Sequence, residues 1–379
     1  MRILDLRGRY LSKSQYQELL PRASFDVAAA LASVEPIIER VRHGGEEALR
    51  EFSMQFDGVA PEKLRVPQEI IDDSLKSLAP ELIAALQESI RRVRIVHNDQ
   101  RRGETMTRVV DGGEISERWI PVDRVGLYVP AGRAVYPSSV IMNVVPAQIA
   151  GVPSIALASP PQKSNNGWPH PSVLATCALL GISEVYAMGG AQAIAAFALG
   201  VRDKSGAAII EKVDLVTGPG NIYVAAAKRA LRGIVGIDSE AGPTEIAIVA
   251  DETARVSDIS ADLISQAEHD IIAASVLITP SSELAEGVAR DLPARVARTK
   301  HSERVATALS GEQSAIVLVD NLDQALDVAN AYAAEHLEIQ VRDSLSASRK
   351  IRNAGAVFIG RFSPVSLGDY SAEIGRAHV

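Results

Sequence analysis

The residues of this sequence best suited to chemistry fall into three groups. Gln266 and His269 stand three apart in QAEH, a spacing that puts both side chains on one helical face. An imidazole nitrogen and a side-chain oxygen placed that way can meet one metal ion such as zinc. On spacing alone, an incidental histidine near a capped helix end is the commoner reading. Glu335 and His336 are adjacent in AYAAEHLEIQ, where a helical pattern gives way to an apolar strand. Imidazole titrates near neutral pH and can take a proton, and a carboxylate can activate water. Neighbours on a helix point about 100° apart, however, so the two need not act as a pair. Asp369, in the GDY that follows VFIGRFSPVSL, reads as a metal ligand or as the cap of the next segment. The last group sits at glycine turns, Ala131–Gly132, Gly189–Gly190 and Gly218–Gly220, with Tyr128, Gln192 and Asn221 beside them. Glycine lets backbone N–H groups approach a pyrophosphate, and a following helix N-terminus favours the anion. None of the turns completes G-x-G-x-x-G, and each alone also reads as a tight turn in a packed α/β domain.

Such residues need elements to hold them. From Phe25 to Arg101 apolar residues recur at three and four, a helical pattern broken at His43–Gly45 and Asp57–Gly58. Residues 104–124 alternate polar and apolar around Asp111–Gly113, which predicts a hairpin. After Arg124 the texture changes: VGLYVP, SIALASPP, EVYAMGG and VDLVTGPGN each lead into a helical stretch. A second α/β stretch runs from TEIAIVAD to LDQALDVANAYAAEH. The predicted fold class is α/β, with two Rossmann-like doubly wound domains and an N-terminal helical extension. Residues 125–244 form the expected nucleotide-binding domain; residues 1–124 and 245–379 form the other, discontinuous one. In open sheets of this kind, ligands bind beyond the carboxyl ends of the strands.

Composition narrows the classes further. The 379 residues are 47% hydrophobic but only 4% aromatic, so the cores must be built from Ala, Val, Ile and Leu. A net charge of -8 disfavours a nucleic-acid backbone as partner. The locally basic stretch Arg91–Arg102 reads as a solvated helix face. Cys177 is the only cysteine, which excludes disulfides and thiolate metal sites within one chain. The N-terminus has no apolar h-region, and no run of about 18 apolar residues occurs, so no membrane association and a cytoplasmic location are expected.

Singly these signals are weak; their order and wording are not. VDRVGLYVPAGRA, SSVIMNVVPAQIAG, VYAMGGAQAIAA, VDLVTGPGNIYVAAAKR, GIDSEAGPTEIAIVAD, DLISQAEHD, AYAAEHLEI and NAGAVFIGRFSPVSLGDY together resemble the histidinol dehydrogenase family, in the wording of its actinobacterial branch, from about Val41 to Ala372. The resemblance implies an enzyme of histidine biosynthesis that oxidises L-histidinol to L-histidine through histidinaldehyde, with two NAD⁺, one zinc per subunit and a homodimer. By motif match it places Tyr128, Gln192 and Asn221 on NAD⁺, and Gln266, His269 and Asp369 on zinc. Glu335 and His336 match the acid–base residues; Thr244, Gln266, His269, His336 and Asp369 match positions that contact substrate. Thr244 stands where the family often has serine, and both carry a hydroxyl. Past GDY the family continues into a tail that reaches the partner subunit and supplies the fourth zinc ligand and a substrate carboxylate. Here Glu373–Val379 resembles none of that and reads as a translated sequencing adapter, so the chain is expected to end artificially. Two other readings accompany this one: a related diol or sulfonate-alcohol dehydrogenase with the same core motifs, and a truncated chain that holds NAD⁺ without turnover.

Overall fold

The computed structural model describes residues 1–23, 27–131, 135–203, 205–240 and 244–371, leaving out the side chains at 27 and 369–371. The chain divides into two units, residues 1–25 with 242–369, and residues 26–241 with 370–379. After a first strand, β1 (Arg2–Asp5), the second unit opens with the helix Val27–Phe52. That helix kinks at Gly45, whose φ of 53° suits glycine, at one of the expected breaks. The helices Gln68–Ser77 and Pro80–Gln100 follow. On the latter, Arg91 and Arg92 both pair with Glu88 at 2.7 Å in solvent, as a solvated face should. The expected hairpin is β2 (Thr105–Val110) against β3 (Gly113–Glu117), with every residue of β2 exposed.

The sheet of this unit contains β4 (Arg124–Tyr128), β5 (Ser154–Ser159), β6 (Val185–Ala187), β9 (Leu215–Thr217) and β10 (Gly236–Ile237). A small antiparallel pair, β7 (Val201–Arg202) and β8 (Ala208–Ile210), lies between in sequence. The sheet is parallel in the order β10-β9-β4-β5-β6. Chain order therefore reverses between β4 and β9, which makes their carboxyl ends the topological switch point. Helices cover both faces: Pro137–Ala150 and Pro171–Leu179 pack into one cluster, Gly190–Leu199 and Ile222–Leu231 into another. Gly190–Leu199, GAQAIAAFAL, is buried along nearly its whole length, and its alanines let backbone approach sheet closely where aromatics are scarce.

The expected division needs one correction. Residues 26–124 belong with the nucleotide-type sheet. Ala30, Val34, Ile38 and Val41 of the first long helix pack with Phe197 and Ala226, and residues 64–66 extend the sheet edge through Val66 N–H to Val185 O (2.8 Å) and Ala187 N–H to Leu64 O (2.7 Å).

The other unit is a six-stranded parallel sheet. To β1 it adds β11 (Glu245–Ala250), β12 (Ala274–Thr279), β13 (Ala315–Leu318), β14 (His336–Gln340) and β15 (Ala356–Ile359), in the order β1-β13-β12-β11-β14-β15. β11, β12 and β14 are buried throughout, which explains their continuous apolar runs. The helix Val256–Ala267 returns the chain from the end of β11 to the start of β12, and the short helix Val365–Ser371 follows β15. Among the described residues, no helix is long and apolar enough to cross a membrane.

Candidate active site

Glu335 and His336, expected as an acid–base pair, stand at the amino edge of the second sheet, where the expectation for sheets of this type was the carboxyl ends. His336 is the first residue of β14 and lies level with Ile246 at the start of β11 and Ala356 at the start of β15. Glu335 and Thr244 precede their strands by one residue, and Gln266 reaches the same edge at the end of the helix Val256–Ala267. Thr244 joins them. Its hydroxyl donates to Glu335 Oε2 at 2.7 Å and accepts from Gln266 Nε2 at 2.7 Å. Glu335 Oε2 also accepts from the Glu245 backbone N–H at 3.3 Å. His336 is buried against the Phe358 ring, with centroids 6.0 Å apart. Its Nδ1 lies 3.8 Å from Glu335 Oε2, beyond hydrogen-bond reach, and has no hydrogen-bond partner. A buried ring nitrogen without a partner beside a carboxylate is poised to exchange a proton with a ligand.

The metal-type pair is split by the end of its helix. Gln266 lies in the last helical turn and is 2% exposed, while His269 falls in the turn beyond, exposed, with its N–H bonded to the Gln266 carbonyl at 3.2 Å. Because Gln266 Nε2 is committed to Thr244, the amide is oriented with Oε1 as its ligating end. One oxygen and one imidazole make a fitting part of a zinc donor set. The side chain of Asp369 lies outside the described residues, as do Gly132 and Glu373–Val379. Among the described residues, no group of three or more His, Cys, Asp or Glu gathers as a metal site.

Sequence reasoning missed a layer of charge beside this edge. Arg22 Nη1 reaches both oxygens of Glu245 at 3.0 and 2.9 Å, and its guanidinium lies 4.5 Å from the centre of the Tyr332 ring. Burial pushes the Glu245 carboxyl up; Arg22 opposes that and the charge of Glu335 adds to it. These partners come from distant parts of the chain, and no spacing rule connects 22 with 245.

In the other unit, the glycine turns do lie at carboxyl ends. Tyr128 ends β4, and its hydroxyl accepts the Gly190 N–H at 3.0 Å. Burial pushes this phenol up to about 12, so it is neutral at physiological pH. Gln192 is 1% exposed, and its Nε2 has no hydrogen-bond partner. That buried donor fits a ligand oxygen. Asn221 caps its helix, with Oδ1 accepting from Tyr223 N–H (3.1 Å) and Val224 N–H (3.2 Å), which turns Nδ2 outward as a donor. Gly218 has φ 121°, and a Cβ there would stand 2.0 Å from the Tyr128 carbonyl oxygen, so the β9 turn accepts only glycine. Two residues not anticipated from sequence brace that turn. Asp238 Oδ2 accepts the Gly218 N–H at 2.9 Å, and Lys228, 2% exposed, bonds Asp238 Oδ1 at 2.6 Å and also donates to the Gly218 carbonyl.

The profile described as histidinol dehydrogenase matches residues 20–379, wider than the stretch read from motifs. The histidinol dehydrogenase of Thermobifida fusca is 60% identical over 376 residues, 99% of this chain and 83% of that protein. That of Streptomyces avermitilis is 58% identical over 378 residues, 99% of this chain and 84% of that protein. The crystal structure of histidinol dehydrogenase from Elizabethkingia anophelis superposes with a TM-score of 0.88 at 30% identity, covering 99% of this chain and 84% of that one.

Proposed function

Since this chain belongs to the histidinol dehydrogenase family, we propose that it oxidises L-histidinol to L-histidine through histidinaldehyde, using two NAD⁺ and one zinc, in the cytoplasm and as a homodimer. The observation that carries the reading is the Gln266–Thr244–Glu335 chain of hydrogen bonds beside the unpartnered Nδ1 of His336. Gln266, His269 and Asp369 would hold zinc, which would supply a Lewis acid beside the substrate. Tyr128, Gln192 and Asn221 would hold NAD⁺, whose nicotinamide supplies the hydride acceptor. The unpartnered Gln192 Nε2 and the outward Asn221 Nδ2 are the donors such a ligand needs.

The protein's own part is proton transfer and placement. His336 takes the proton of the histidinol hydroxyl as hydride leaves the carbinol carbon, giving the aldehyde. Glu335, oriented by Thr244, takes a proton from water as that water adds to the aldehyde carbon, while the protonated His336 returns its proton to the aldehyde oxygen, giving the hydrate and a neutral His336. His336 then takes a hydroxyl proton from the hydrate as the second hydride leaves, and the acid is formed. Exposed apolar side chains on the β2–β3 hairpin, Met106, Val109, Val110 and Ile115, support the dimer by offering a second copy a surface to cover. The test is turnover with L-histidinol, NAD⁺ and zinc, followed by NADH absorbance and by mass spectrometry of the product. Two NADH per histidine are expected. Turnover of simple diols or sulfonate alcohols in place of histidinol, or NAD⁺ binding with no product, would overturn the reading.

A further inference from the structure

One layer behind His336, on the same face of β14, Glu338 and Gln340 point where a charged residue is not expected. Alternate residues of a strand share a face, and β14 is buried throughout. Glu338 is 1% exposed. Opposite stands Asp262, one helical turn before Gln266 on the helix Val256–Ala267. Gln340 Nε2 donates to both carboxyls, to Asp262 Oδ2 at 3.1 Å and Glu338 Oε2 at 2.9 Å, and so holds them side by side. Among the described residues, no Lys or Arg is hydrogen-bonded to either carboxyl. The other titratable groups nearby are Asp258, whose charge works against ionisation of Asp262 and which is itself bonded by Arg361 Nε at 2.6 Å, and His336 at the head of the strand. Two carboxylates bridged by one amide, the Glu338 carboxyl buried and no cation hydrogen-bonded to either, disfavour joint ionisation; a proton shared between them removes the repulsion. The remaining oxygen, Glu338 Oε1, accepts the backbone N–H of Val365 at 3.2 Å. Val365 is the first residue of the helix that carries Asp369.

We propose that Asp262 and Glu338 are positioning residues that share one proton and, in that state, tie the start of the Asp369 helix to the strand that carries His336. The pair thereby links three parts of the proposed centre: the helix of Gln266, the strand of His336 and the helix of Asp369. The inference rests on the reading of Asp369 as a zinc ligand. Burial and the neighbouring Asp262 raise the Glu338 carboxyl from 4.5 to about 8. The folded chain then holds a proton that the unfolded chain releases, so this group lowers stability as pH rises from about 4.5 to 8, with no further change above. Zinc binding to the folded chain behaves differently, because the tie loosens only where the folded pair loses its proton, above about 8.

E338Q places an amide in the same volume without titrating, able to donate to Asp262 and accept from Val365, while giving up the bond from Gln340 Nε2. The experiment compares the wild-type chain with E338Q and D262N from pH 5 to 9. In the zinc-free chains, the Tm of wild type should fall relative to E338Q up to about pH 8 and then run parallel, with D262N, which keeps the buried Glu338, between the two. The ratio of wild-type to E338Q zinc affinity, read by chelator competition, should be constant near pH 7 and drop about tenfold by pH 9, one unit past the folded value. A Tm difference that does not vary with pH overturns the shared proton. A flat affinity ratio, together with weakened zinc in D369N, overturns the positioning role and leaves the enzyme reading standing. Unaltered zinc affinity in D369N instead fails the ligand assignment, and the positioning role falls with it.

Discussion

The Thr244 hydroxyl serves two partners with one oxygen, and a single substitution separates its roles. T244V removes the donor to Glu335 and strands the buried Gln266 amide, which should cost about 1–3 kcal/mol of stability and weaken zinc binding by releasing Gln266 to rotate. T244S keeps both bonds and should match the wild type; thermal unfolding and zinc titration of the two variants check this. The acid and the base separate by substrate. H336N should lose about 10²–10⁴-fold in kcat with either histidinol or histidinaldehyde, since both oxidations need the base. E335Q should slow the aldehyde far more than the alcohol, and equal losses in steady-state rates would contradict the division. At this scale the motif letters named Glu335, His336 and Gln266, and the structure brings these three to one edge. Thr244 was legible only as a substrate position, because its bridging role depends on groups 22 and 91 residues away along the chain. Glu338 was not singled out in the sequence, because its neighbour Asp262 lies on another element and no spacing rule connects the two.

At the scale of elements, strands and helices could be read because parallel strands buried on both faces show as unbroken apolar runs between turn residues. The edge of the sheet could not. Both units are parallel sheets, yet one presents its candidate residues at carboxyl ends and the other at amino ends, since Thr244 and Glu335 precede their strands and Gln266 ends a helix. The β9 turn carries the sharpest prediction here. Lys228 and Asp238 are an ion pair with the lysine side chain 3% exposed, and together they grip both the N–H and the carbonyl of Gly218. K228M leaves Asp238 without its cation and should cost about 3–5 kcal/mol. Urea unfolding measures that loss, and NAD⁺ affinity should fall with it because the turn beside Asn221 loses its brace.

For the whole molecule, the periodicity of residues 27–100 showed that each helix has an apolar face but not which sheet would cover it, which is why residues 26–124 were expected in the wrong unit. The β2–β3 hairpin poses a similar question, since it leaves Val110 and Ile115 in solvent. Light scattering should give a dimer, and the V110K/I115K variant a monomer at the same concentration; a monomeric wild-type chain would refute the assignment. One pairing also sets a schedule for the ribosome. Arg2 and Ala315 are neighbours in adjoining strands, so β1 has no partner until residue 315 has been made. At roughly 5–20 residues per second that is a delay of about 15–60 s. Residues 26–241 need nothing from beyond their own stretch for their sheet and can settle during the delay. The nascent chain thus carries β1 loose until then, and a chaperone or protease that meets it earlier meets that strand unpaired.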